Sequence, residues 1–350
     1  MSDSRPPRGR VVAFVLLVSA IVVAVAAYLY VTRGQVPATS NQAGGVNGIA
    51  DEKTRKALVE LRREPHVAFR DMTPGPTYGR LAFASLQAGA SRLFTSMSCQ
   101  RIYVSDRAGV CLAITTAPAG FRGYLLDASL GVGHTVGLPG MPSRTRISRD
   151  SRFAAFTAFV AGDSYLASGL STRTRIVTMP AGEDIADLES FAVIRDGKEF
   201  ESIDFNFWGV TFTRDANRIY ATLGTGGRIL LVEGDVAERT FHVIAEDIEC
   251  PSLSPDETHI AFKKRFGKGF DAWWQPAVLE LATMKVRQLP EPKHIDDQIE
   301  WLDDAHILYA VGHTASAASR RSDVWMLAID GASPPSMFLA DAESPAVVRP

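Results

Sequence analysis

Ser252-Leu-Ser-Pro-Asp256-Glu-Thr-His-Ile-Ala-Phe262 reads as a short strand, a polar turn and a second, alternating apolar strand. An Asp in such a turn bonds nearby backbone N–H groups through its short side chain and tolerates turn geometry. The β-branched and aromatic residues that follow suit a pleated surface packed between neighbouring sheets. The pattern returns at Arg146-Ile-Ser-Arg-Asp150-Ser-Arg-Phe-Ala-Ala-Phe156 and at Thr211-Phe-Thr-Arg-Asp215-Ala-Asn-Arg-Ile-Tyr-Ala221. A fourth copy is Glu300-Trp-Leu-Asp303-Asp-Ala-His-Ile-Leu-Tyr309. The four Asp lie 65, 41 and 47 residues apart. One four-stranded propeller blade takes about 40–50 residues. Each copy is therefore one blade, and the wide first interval carries an insertion at 161–174 or 181–202.

Two more blades fit upstream. One uses residues 101–106, 109–115, 121–128 and 134–138; the other uses 66–70, 78–85 and 91–95 and is one strand short. Glu343-Ser-Pro-Ala-Val-Val348 echoes Glu249-Cys-Pro-Ser-Leu-Ser254, the inner strand of a complete blade. The last strand is thus expected to complete the first blade, closing a ring of six without an exposed edge. Six blades fit better than seven.

The run Ser-Pro-Asp-x-x-x-Ile-Ala-Phe at 254–262 resembles the WD-like repeat of TolB-family propellers, whose usual form is Ser-Pro-Asp-Gly followed by an apolar strand. Asp150, Asp215 and Asp303 keep the Asp but not the Pro or Gly. The resemblance implies an all-β, six-bladed propeller and implies little about function, because propellers host many activities. TolB carries a separate N-terminal α/β domain, and here an apolar segment and a short linker occupy that place. The layout is similar to that of membrane-anchored TolB-like proteins of actinobacteria.

That apolar segment, VVAFVLLVSAIVVAVAAYLYV at 11–31, holds no charge. At about 1.5 Å rise per residue it spans the roughly 30 Å hydrocarbon core. Arg5, Arg8 and Arg10 precede it and only Arg33 follows closely, which keeps the N-terminus cytoplasmic and the remainder outside. Two readings stay open: a signal anchor, and a signal peptide cleaved after Ala24-Val25-Ala26. The run exceeds the usual apolar region of about 7–15 residues in a cleaved signal, which favours the anchor. The expected order is a cytoplasmic tail at 1–10, a transmembrane helix at 11–32, a linker with a short helix at 33–63, and the propeller at 64–350.

Three cysteines are present. Cys99 and Cys111 flank a predicted hairpin, and an oxidising compartment would let them bond; Cys250 is then a buried free thiol. Charged residues make up 22% of the chain and the net charge is −2, so no basic face offers itself to nucleic acid. A peptidase would need a Gly-x-Ser-x-Gly elbow on a long α/β segment. Gly162-Asp-Ser-Tyr165 is the nearest approach, and it lacks the second Gly. None of the seven His stands in metal-ligand spacing, and His259 and His306 hold equivalent repeat positions.

In a propeller, the residues just before each innermost strand crowd round one mouth of the central channel. On the repeat alignment these are Cys99, Arg144, Asp204 with Asn206, Glu249, Asp296 with Asp297, and Glu343, with Trp208 and Trp301 close by. Such a set suits a cation, a sugar or a peptide end; the same groups also satisfy backbone N–H groups at strand starts. Ca²⁺ is the one cofactor the pattern admits, and it would need six or more oxygens in one shell. Arg144 with Arg146, and Arg173 with Arg175, alternate and are expected on solvated strand faces. Lys263-Lys264-Arg265 is expected on a solvated blade edge.

The leading functional expectation is a binding or scaffolding module in the cell envelope, offering the channel mouth to a protein or glycan. The alternative is a channel-mouth, metal-dependent hydrolase, lactonase-like or carbohydrate-active, using Glu249, Asn206 and Asp204. A sensor domain is a third possibility.

Overall fold

The computed structural model describes residues 51–350 apart from 88, 117–118, 161–170, 268–270 and 317–318. The apolar run at 11–31, the linker before residue 51 and Gly162-Asp-Ser-Tyr165 lie outside the described residues. Among the described residues no helix is long and apolar enough to cross a membrane.

The first described element is a helix, Glu52–Leu61, whose start is fixed by Asp51: its carboxylate accepts the Thr54 N–H at 2.8 Å. Leu58 from its apolar side is buried in the seam between the first two blades. Just beyond, the Arg62 guanidinium donates to the Asp106 and Ala128 carbonyls of blade 2.

Six sheets follow. Blade 1 holds His66–Asp71, Arg80–Ser85 and Leu93–Ser98, with Ala342–Val348 as its innermost strand. Blade 2 runs outward through Arg101–Val104, Gly109–Thr116, Ala119–Leu126 and Val132–Gly137, and blade 3 through Met141–Ile147, Phe153–Val160, Ser171–Thr178 and Asp184–Asp187. Blade 4 has Asn206–Phe212, Arg218–Thr225, Arg228–Asp235 and Thr240–Glu246. Blade 5 has Glu249–Leu253, His259–Phe266, Trp273–Glu280 and Lys285–Gln288; blade 6 has Glu300–Trp301, His306–Ser316, Ser319–Ala328 and Ser336–Leu339. Of the two expected places for the insertion, 181–202 holds added strands, and 161–170 lies outside the described residues. Ala192–Arg195 adds in parallel to the outer strand of blade 4 and Lys198–Glu199 pairs back on it, so that sheet has six strands.

The ring is closed by hydrogen bonds rather than by the chain: Ala342–Val348 pairs antiparallel with His66–Asp71, His66 opposite Val348. Six apolar clusters fill the six seams, one between each pair of neighbouring blades, including the seam between blades 6 and 1. Burying one such Leu, Phe or Val side chain contributes about 1.5–3 kcal/mol, so the seams supply most of the cohesion.

The four Asp turns share one bonding scheme. Asp150, Asp215 and Asp256 each accept the hydroxyl two residues before (Ser148, Thr213 and Ser254) and the backbone N–H two residues after. Asp303 accepts the Ala305 and His306 N–H groups and has Trp301 where the others have a hydroxyl. In the first three turns the residue after the Asp takes a left-handed backbone: Ser151, Ala216 and Glu257 have φ of 62°, 60° and 63°. That is the place where the Ser-Pro-Asp-Gly form carries glycine, and it explains the Gly preference.

Candidate functional site

The echo between Glu343-Ser-Pro and Glu249-Cys-Pro has a structural cause. Both inner strands bulge there, with Ser344 and Cys250 at φ of 51° and 52°. A bulge re-aims the neighbouring side chain. In both blades the Glu then meets a cation directly opposite on the second strand: Glu343 faces Arg70 and Glu249 faces Lys263. Arg70 donates to Glu343 at 2.7 Å, and the Lys263 ammonium lies 3.5 Å from Glu249.

These pairs belong to a network of charges round the axis. Arg101 reaches Glu343 at 3.4 Å. Asp296 is shared by Arg144 at 3.3 Å, Lys263 at 3.5 Å and Arg320 at 3.6 Å. Arg146 donates to Glu300 and lies over the Tyr103 ring, 4.8 Å from its centroid. Asp297 accepts the Gln298 and Ser344 N–H groups. Burial works against the Asp296 charge, yet Lys263, Arg144, Arg101 and Arg320 hold its carboxyl well below the usual range. Burial, and then the Glu300 charge, push the Tyr103 phenol up to about 12. Burial likewise pushes the Glu300 carboxyl up, against the pull of Arg146.

Two expectations are corrected here. Arg144 and Arg146 are not on a solvated face: they are 8% and 7% exposed, because the alternation points both at the axis. Lys263 is 2% exposed and sits at the axis, not on a solvated edge, since the strand Glu249–Leu253 lies inside it. Lys264 and Arg265 are half-buried, and Arg175 pairs with Asp184 on the outer strand of blade 3.

Of the candidate residues, Arg144, Glu249, Asp297 and Glu343 come into this network. Asp204, Asn206 and Trp208 stay within blade 4 and its border. Asp204 accepts Thr225 Oγ1 and the Gly226 N–H at 2.5 and 2.7 Å, capping the Gly226–Gly227 hairpin. Asn206 accepts the Thr172 N–H of blade 3 at 2.6 Å. Trp208 lies over Gly224, where an added Cβ would come within 2.8 Å of the ring. Glu249 also accepts Trp274 Nε1 at 2.6 Å, and Trp301 Nε1 donates to the Ser252 carbonyl at 2.8 Å. Cys99 and Cys111 form a disulfide with a Cα–Cα distance of 5.4 Å, and Cys250 is a buried free thiol whose ionisation burial disfavours.

The network leaves on the axis a chamber of about 20 Å³, walled in part by Arg101, Arg144, Arg146, Asp297, Glu300 and Ser344. That is little more than one water needs. Sequence reading passed over Arg70, Arg101 and Arg146 as axial groups. Arg70 and Glu343 come together only through ring closure, so no local spacing announces them. It also passed over His313, Asp323 and Asp341, whose donor atoms lie within 4.8 Å of one another. They converge through a hairpin register, and each is already engaged: His313 with Asp323 at 3.2 Å, Asp341 with Arg321 at 2.5 Å.

The ring of six sheets, its repeated Asp turns and its C-terminal closing strand define a six-bladed, TolB-like β-propeller. Among solved structures, the chain is similar to TolB from Acinetobacter baumannii, at 17% identity and a TM-score of 0.55 over 81% of this chain. It spans 66% of that TolB chain, less than two thirds of it. A structure of a nidogen/laminin complex matches with the same TM-score of 0.55, at 10% identity, over 81% of this chain and 98% of that one. At these identities the likeness is one of fold alone. No family model matches the chain, and no curated protein matches it.

Proposed function

We propose that the protein is an envelope display module: a propeller held outside the membrane by a helix at 11–32, binding a protein or glycan across its channel-mouth face. The single observation that carries this reading is the filled axis. A pocket for a drug-sized substrate needs about 300–1,000 Å³, whereas the axial chamber has about 20 Å³. A hollow of about 360 Å³ lies beside the Asp215 turn, at the opposite end of the ring; on the mouth face, recognition falls to the rim. The end of the ring where the innermost strands begin bears Met141, Ile203 and Trp273, which are 47%, 80% and 37% exposed.

The commitments of Glu249, Asn206 and Asp204 to Trp274, Thr172 and the Gly226 hairpin favour binding over a metal-dependent hydrolase built on those three. The uncharged run at 11–31, the arginines before it and the Cys99–Cys111 disulfide support export.

Site-specific photocrosslinking in the intact anchored protein tests the reading. A crosslinker at position 203 or 273 should trap one discrete envelope partner or glycan. The same probe at Met284, an exposed residue on the opposite end of blade 5, should not. Equal labelling at 203, 273 and 284 would refute a mouth-face interface.

A further inference from the structure

The axial chamber is lined by three residues that each carry a buried polar atom with no protein hydrogen-bond partner: Arg144 Nε, Arg146 Nε and Ser344 Oγ. The residues are 8%, 7% and 7% exposed. A guanidinium Nε can only donate, and a Ser hydroxyl rotates to donate where an acceptor is offered. A buried donor left unmatched costs about 1–3 kcal/mol, and more when it is charged.

What occupies the chamber must therefore accept. A water could also accept, placing its own protons on the remaining lone pairs of Asp297, so the choice between water and an anion rests on charge. Asp297 accepts through both oxygens, from Gln298 and Ser344 N–H. Glu300 accepts Val347 N–H and Tyr103 at one oxygen and Arg146 at the other.

Charge favours the anion. The charged residues that line the chamber are the cations Arg101, Arg144 and Arg146 and the carboxylates Asp297 and Glu300. One positive charge is left over. The volume suits a monatomic ion.

We propose that the chamber binds a single halide-sized anion, chloride under ordinary conditions, held by Arg144 Nε, Arg146 Nε and Ser344 Oγ. Two of the donors come from blade 3 and the third from the strand that closes the ring. The anion therefore ties the closing strand of blade 1 to the innermost strand of blade 3, and it does so whatever the rim binds.

The test uses the full chain in detergent micelles, melted in sodium chloride and in sodium gluconate at matched ionic strength. Raising chloride from about 1 mM to roughly 100 mM should raise the melting temperature by about 2–4 °C and then saturate, while gluconate does nothing. Ser344→Gly removes the hydroxyl and suits the positive φ, so the fold is not at risk; it should weaken the chloride response about tenfold. Crystals grown in bromide should show an anomalous bromine peak within hydrogen-bond reach of both Nε atoms. Absence of that peak overturns the proposal, as does a Ser344→Gly protein with an undiminished chloride response.

Discussion

Arg70 and Glu343 stand 273 residues apart in the chain and meet at 2.7 Å, both almost wholly buried, across the strands that close the ring. Arg70 also donates to the Cys99 carbonyl at 2.5 Å, so one guanidinium links the closing strand to the border of blades 1 and 2. Removing one partner of a buried pair strands the other charge, typically at about 3–5 kcal/mol. Glu343→Ala should lower stability by that order in urea unfolding, while Arg70→Met combined with Glu343→Leu recovers a large part. A loss below about 1 kcal/mol for the single variant would mean that water reaches Arg70.

The Cys99–Cys111 disulfide closes a loop of 12 residues. On the chain-entropy model a loop of this size contributes about 3 kcal/mol. Cys99→Ser with Cys111→Ser should melt lower than the oxidised protein and match the reduced wild type. Thiol labelling without reductant should count only Cys250, and only after unfolding.

Stability should fall toward both ends of the pH scale, for separable reasons. Glu189 is half-buried between blades 3 and 4, where the Thr174 N–H donates to both of its oxygens. Burial, reinforced by neighbouring Asp187, pushes its carboxyl up to about 8 in spite of the Thr174 bond. The folded state holds the extra proton, so this contribution is complete below the unfolded value of 4.5 and is lost as pH rises through about 8. Asp187 Oδ1 is buried without a donor, which a protonated Glu189 supplies. Glu189→Gln should flatten the alkaline decline in urea midpoint and leave the acid side unchanged; a decline of the same slope in the variant would remove Glu189 as its source.

At the acid end the turn aspartates act in the opposite sense. Ser148, Thr213 and Ser254 hydroxyls and the turn N–H groups hold Asp150, Asp215 and Asp256 below their ordinary value of 3.8, outweighing their partial burial. A depressed folded value gives stability that is present above 3.8 and is lost as pH falls through the folded value. Asp215→Asn should lower stability near neutrality and flatten its fall with decreasing pH, the variant and the wild type converging once the Asp215 carboxyl is protonated.

Glu257 occupies the left-handed turn position at φ 63°. A non-glycine residue there costs about 1–2 kcal/mol, and Glu257 recovers part of that by accepting the exposed Arg214 N–H. Glu257→Gly should therefore stabilise by a few tenths to about 1 kcal/mol, read as a higher melting temperature. A lower one would show that the Arg214 contact outweighs the strain.

How much the sequence disclosed follows from the range of the interactions involved. The Asp turns are local, since each carboxylate bonds within a few residues, so four of them marked four blades by spacing alone. The closing strand was legible because its Glu-x-Pro bulge repeats the one at Glu249. The axial network was not legible as a whole. Lys263 sits in a run of three basic residues that looks solvent-facing, and only the register opposite Glu249 turns it inward. Arg146 alternates with Arg144 as surface arginines do, and its burial depends on Glu300, 154 residues away. Asp204, Asn206 and Trp208 stand at the start of the innermost strand of blade 4, yet their side chains bond or pack within that blade and against blade 3. The bulge at Gly209 lies beside Cys250 of blade 5, and the residues before it serve the blade's own hairpin.

His66, where the propeller's backbone first enters a sheet, pairs with Val348 near the end of the chain. Tension applied upstream meets the Leu58 and Arg62 contacts first, and once these give way it is delivered to the clasp of the ring. If the pull runs along the strands it loads that ladder in shear, all bonds together; if it runs across them it unzips the bonds one at a time. The direction of load, more than its size, decides whether the ring opens.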